Sequence, residues 1–115
     1  MREFDAGQVE QLLGGARFVD DPSERVCPAC GQQAVRTYVH RRGAPARPVL
    51  ITYSWCASCR RHKGWTGPDP GDLDFDDPLQ ELSATERDAL SRDFDALLRR
   101  LDAWWEEGRL PQRFR

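Results

Sequence analysis

Long apolar runs are missing from this chain of 115 residues, and none approaches the ~18 consecutive residues that a membrane-spanning helix needs. Histidine occurs only twice, and lysine once, as Lys63, against sixteen arginines. No nucleophile–base pair, glycine-rich phosphate loop or carboxylate constellation can be picked out. Ser54 and Ser58 carry no catalytic signature around them, so no enzyme activity is expected. The opening Met1-Arg2-Glu3-Phe4-Asp5 lacks the basic-then-apolar order of a signal peptide, which makes a cytoplasmic protein the expectation. At this length one domain is expected, spanning 1–115, and its core will be modest.

What the chain does have is four cysteines, all of them in two Cys-x-x-Cys pairs, Cys27/Cys30 and Cys56/Cys59, separated by 25 residues. Two tight turns that each supply two thiolates are what one tetrahedral metal requires. Pro28 fixes the first turn, and Gly31 after its second cysteine lets backbone N–H groups point at the sulfurs. The second turn has Arg60 where that glycine would stand. Disulfides are the alternative, disfavoured by the reducing compartment expected above. A complete four-thiolate set leaves no open position, so Cys27, Cys30, Cys56 and Cys59 read as ligands of one structural zinc. His40 and His62 are read as strand or surface residues because that set is already full.

Between the pairs, Val35, Thr37 and Val39 alternate with Arg36, Tyr38 and His40. Val49, Ile51, Tyr53 and Trp55 then share one face of a return strand. Arg41 to Pro48 reads as a mobile hairpin loop, and His62 to Thr66 as a third strand. Two cysteine pairs flanking an antiparallel hairpin, with an aromatic strand leading into the second pair, resemble the four-cysteine zinc ribbons of the transcription machinery. The elongation-factor type is nearest in spacing. The resemblance covers residues 25–66 and implies a three-stranded zinc ribbon. That family carries an acidic pair at the hairpin tip that acts in RNA cleavage. Here the tip is Arg41-Arg42-Gly43-Ala44-Pro45-Ala46-Arg47, so that chemistry does not carry over. Rubredoxins also use two cysteine knuckles, with iron; the missing second glycine and the basic ribbon speak against them.

The flanks are expected to be helical. Asp5 can cap a short helix over 5–14, with Gly14-Gly15 ending it through the left-handed conformation. Ser83-Ala84-Thr85-Glu86 is a capping-box signature, opening one long helix over 83–107 that Gly108 terminates. Its stripe of Leu90, Phe94, Leu97, Leu98, Leu101, Trp104 and Trp105 is too wide for a two-helix seam and is expected to dock within the chain. Trp104, in phase with Leu90, Leu97 and Leu101, should be buried and Trp105 partly exposed. The expected fold class is therefore α+β: a three-stranded antiparallel zinc ribbon between a short N-terminal and a long C-terminal amphipathic helix.

Charge is distributed unevenly although the net is only −2. Glu24 to Gly64 holds eight bases and one acid; Trp65 to Leu82 holds six acids and no base. The acidic stretch over 67–82 reads as a solvated linker or arm rather than an autoinhibitory element. The basic ribbon with its aromatic rings fits nucleic acid, but the rings are already explained as the ribbon's own small core. The favoured function is a non-enzymatic protein–protein interaction module. Arg41, Arg42 and Arg47 at the hairpin tip and Trp105 on the helix are the candidate partner-binding residues. The alternatives are a nucleic-acid-associated transcription regulator and a small protein that neutralises a toxin or enzyme. A monomer is favoured, with no membrane contact.

Overall fold

The computed structural model describes residues 2–115. Its centre is an antiparallel sheet in chain order: β1 (Arg25–Val26), β2 (Gln33–Ala44), β3 (Arg47–Cys56) and β4 (His62–Pro68). Helix α1 (Ala6–Leu13) precedes the sheet. After it come a 3-10 turn at Pro78–Glu81 and helices α2 (Ala84–Ser91) and α3 (Phe94–Glu106).

The α+β class agrees with the sequence reading, and several details do not. The sheet has four strands rather than three, the extra one being the two-residue β1 against Val35 and Gln33. The expected loop at Arg41 to Pro48 is continuous strand up to Ala44 and from Arg47 onward, leaving only Pro45 and Ala46 as the turn. Gly43 lies at φ +93, and a Cβ there would sit 2.7 Å from the Arg47 carbonyl oxygen, so the hairpin can close this tightly only with glycine.

The third correction is the long helix over 83–107, which is two helices. Ser83 caps α2 as the capping signature implies, accepting from the Glu86 N–H at 3.1 Å. The helix then breaks at Asp93, whose extended backbone (φ −134, ψ 92) and carboxylate, accepting from the Ala96 N–H, start α3 afresh. A short acidic side chain competes for backbone N–H groups and favours a cap over a helix interior. The break turns Phe94 onto the His62 and Tyr53 rings, 4.8 and 5.8 Å away between centroids. α1 begins as expected, with a capping box between Asp5 and Gln8. It ends at Gly14 in the right-handed region (φ −76), so no left-handed glycine is used there.

Two clusters hold the layers. Tyr38 and Trp55 of the sheet pack against Leu97, Leu98, Leu101 and Trp104 of α3, with Leu79 and Leu110 closing the sides. Trp104 is only 4% exposed, while Trp105 is half-buried, as the phase of the stripe implies. The smaller cluster gathers Phe4, Leu12 and Val35 around Cys27 and Cys56. Both faces of β2 are used: Val35 and Val39 fill one side, and Arg36, Tyr38 and His40 are buried on the other.

The acidic stretch after β4 is solvated at Asp72, Asp74, Asp76 and Glu81 but not at its two ribbon contacts. Asp69 and Asp77 side chains are 3% and 7% exposed, because they meet the ribbon's cations and donors. Beyond β1, the outer edge of β2 is covered by Gln112. Its amide accepts from the Val39 N–H at 2.8 Å and donates to the Val39 carbonyl at 2.7 Å, as a neighbouring strand would.

Candidate metal centre

The four cysteines of the two knuckles converge at one end of the β2–β3 hairpin, their Sγ atoms all within 4.8 Å of one another. Each knuckle is a tight turn that closes on its first cysteine. The Gly31 N–H donates to the Cys27 carbonyl at 2.9 Å, and the Arg60 N–H to the Cys56 carbonyl at 2.9 Å. Both closing residues are left-handed, Gly31 at φ +80 and Arg60 at φ +68. The glycine missing from the second knuckle is thus replaced by an arginine held in a glycine's conformation, at a cost of about 1 kcal/mol. Its side chain gives something back: Arg60 reaches Asp102 on α3 at 2.7 Å. Within the turns, the Ala29 and Cys59 N–H groups point at the Cys27 and Cys56 sulfurs, each 3.4 Å away.

Sulfur spacing tests the fit to a metal. Around an ion with metal–sulfur distances of ~2.3 Å, a regular tetrahedron has sulfur–sulfur edges of ~3.8 Å. The Cys27–Cys59 and Cys30–Cys56 pairs are 3.8 and 3.7 Å apart. Disulfides would need ~2.05 Å, and all four cysteines are free. The cluster can therefore hold one metal ion on four thiolates. Such a set has no vacant position for a substrate, and the ion's contribution would be to fold and rigidity.

Proton chemistry fits the same role. Burial pushes the Cys27 thiol up and the Cys56 thiol up to about 12. Burial also acts to raise Cys59, but the Arg61 backbone N–H and the neighbouring sulfurs outweigh it and bring Cys59 down to about 7. Metal loading must displace the protons that remain, so it is favoured as pH rises.

The knuckle end is tied to α3 by charges that no local motif announces. Arg36, 8% exposed, pairs with Asp102 at 2.7 Å, Glu106 at 2.9 Å and Glu24 at 3.2 Å. Asp102 also accepts from the Trp55 indole N–H at 2.9 Å. One carboxylate thus links β2, β3 and the second knuckle to the same helical turn. No local spacing in the sequence pairs Asp102 with Arg36, Trp55 and Arg60, each more than forty positions away.

The arginines singled out at the hairpin tip lie apart from the sulfurs. Val35 is opposite Cys56 at one end of the hairpin and Ala44 opposite Arg47 at the other, about 30 Å away at ~3.3 Å per residue. Arg41 is engaged inside the molecule: it pairs with Asp69, donates to the Leu73 carbonyl at 2.8 Å and stacks on Phe75. The Arg41 pair holds the Asp69 carboxyl below the usual range. Arg42 and Arg47 are exposed. Trp105 lies under the Arg36 guanidinium, 5.2 Å from its ring centroid. His40 and His62 stand outside the sulfur cluster; His40 instead donates through Nδ1 to Asp77 at 2.7 Å.

Compared with known proteins, the chain matches no family model, no curated protein and no solved structure. No helix among the described residues is long and apolar enough to cross a membrane.

Proposed function

We propose that this chain is a small non-enzymatic protein-interaction module of the cytoplasm, built around one structural zinc. Zinc is the natural ion for a closed four-thiolate set in a reducing compartment, since it is redox-silent and tolerates full sulfur coordination. The observation that carries the interaction role is the apolar groove on the sheet face opposite α3. Leu12, Leu13, Phe18, Val35 and Trp65 line it, and Leu13 is left 65% exposed. Arg25 also lines it, and its side-chain partners among the described residues are the carbonyl oxygens of Leu12 and Asp21. The complementary occupant is an apolar side chain of a partner protein flanked by carboxylates.

The ribbon's own charges support a protein partner over nucleic acid. Arg36, Arg41, Arg60 and Lys63 each lie against a carboxylate of the same chain, so these cations are already neutralised. The test uses zinc-loaded full-length protein as bait in extract of the source cell, with Leu13→Glu beside wild type. The proposal expects a specific protein retained by wild type and lost by Leu13→Glu, at unchanged zinc content and melting temperature. Equal capture by both would refute the groove. Salt-dependent binding of arbitrary nucleic acid, untouched by Leu13→Glu, would move the function to the transcription-ribbon alternative.

A further inference from the structure

A second cleft, of about 350 Å³, opens on the opposite side of the sheet between the tip half of the hairpin and α2. Leu79 and Leu90 supply an apolar wall, and His40, Arg42, Tyr53 and Arg87 supply polar groups. The metal centre and the groove use none of them.

His40 is set up more carefully than a strand histidine needs to be. It is 8% exposed, and its Nδ1 meets Asp77 at 2.7 Å. Asp77 is itself fixed by the Tyr38 hydroxyl and by the Leu79 N–H at 3.1 Å. Burial first, then the Asp77 charge, keep the Tyr38 phenol protonated and hence donating. A carboxylate can only accept here, so Nδ1 carries the hydrogen and Nε2 is the free nitrogen. Nε2 has no hydrogen-bond partner among the described residues, yet it is not sealed in, and the ring lines the cleft. Arg42, two residues along the same strand face, has no carboxylate partner among the described residues. Arg87 spends one N–H on the Gln80 amide oxygen at 3.1 Å and has others to give. The cleft's one acid, Asp88, is paired with Arg92 at 2.8 Å.

We propose that this cleft binds a phosphate monoester with a small apolar or aromatic body, its phosphate held by His40 Nε2, Arg42 and Arg87. Arg42 and Arg87 line the same cleft, and each guanidinium offers the fork of N–H donors that phosphate oxygens accept. Nε2 selects phosphate over carboxylate. A phosphate oxygen accepts from an imidazolium, or donates its own P–OH to the bare nitrogen, so contact is made in either protonation state. An ionised carboxylate offers only the first. The apolar wall of Leu79 and Leu90 is of no use to free inorganic phosphate, which should bind more weakly than an ester.

The probes are phenyl phosphate, inorganic phosphate and benzoate, titrated into zinc-loaded full-length protein. Heat of binding and the His40 side-chain NMR signals are followed together. Phenyl phosphate should bind saturably, shift the His40 ring signals and exceed both other probes by about tenfold or more. Arg42→Ala combined with Arg87→Ala should weaken it about tenfold with an unchanged melting temperature, because Arg42 is exposed and Arg87 only partly buried. Absence of a saturable His40 shift, equal binding of benzoate, or undiminished binding by the double variant would each overturn the proposal.

Discussion

At the knuckle end of the β2–β3 hairpin, four sulfurs from two short turns converge on one point. At the tip end the same two strands are held by side chains that arrive from far along the chain. Asp69 takes Arg41, Asp77 takes His40 and Tyr38, and Gln112 takes the Val39 backbone. The knuckle end presents four thiols from local turns that could hold one ion. The tip end depends on long-range pairs, each worth about 1–3 kcal/mol. A chain this small has a modest core, and the contrast shows where its stability is concentrated.

The largest break in that contrast comes from the sulfurs. Cys56→Ser should abolish stoichiometric zinc and unfold the knuckle end, since structural zinc sites contribute on the order of 10 kcal/mol or more. Metal content and amide exchange of β3 check it; a fully reduced, metal-free wild type that melts like the loaded protein would refute it. Zinc affinity should also fall as pH is lowered from about 8 to 6, because burial raises two of the thiols and protons then compete with the ion for sulfur. Competition with a chromophoric chelator across that range measures the slope.

Asp102→Ala should cost about 3 kcal/mol, because it removes at once the bonds to Arg36, Arg60 and the Trp55 indole, while Glu106 and Glu24 still face Arg36. Denaturant melts with saturating zinc would show the loss with metal content intact. That combination separates the α3 clamp from the sulfurs. Trp104→Ala should lose about 3 kcal/mol or more, as a core tryptophan does. Trp105→Ala should cost clearly less, since its ring is half-buried and only one face is stacked by Arg36. Paired thermal melts decide the order; a larger loss for Trp105→Ala would reverse the assigned faces of α3.

The smallest expected effect is Arg60→Gly. It relieves a left-handed arginine, worth about 1 kcal/mol, and gives up a partly exposed ion pair worth about the same, so stability should move by about 1 kcal/mol or less. Zinc stoichiometry should be unchanged. Loss of metal in Arg60→Gly would mean that the Asp102 contact, and not the turn, holds the second knuckle in shape.

Legibility in the sequence followed the same division. The cysteine quartet was readable because its spacing is local and its residue types are few. The hairpin was readable because alternation at period two fixes which residues share a face. β1, with two residues, is too short to have a period at all. The break at Asp93 was hidden by a stripe that keeps its phase from Leu90 through Phe94 to Leu97. A capping aspartate interrupts the backbone without interrupting that pattern. The acidic stretch reads as solvated because its composition is that of a linker, and the reading fails only at Asp69 and Asp77. The burial of those two depends on Arg41, His40 and Tyr38, about thirty to forty positions away.

Gln112 has a consequence for how the protein behaves at high concentration. A bare outer strand of hydrogen-bonding groups is a template on which another copy can add its own strand. Here a single amide, 3% exposed, occupies that template at Val39, and the Phe114 ring beside it packs on Phe18 and Phe75. Proteolytic removal of residues 112–115 should leave the four sulfurs in place and yet open the β2 edge at Val39 to pairing with another copy. The Gln112 side chain thus shields one position of one sheet edge, where a backbone strand would otherwise pair.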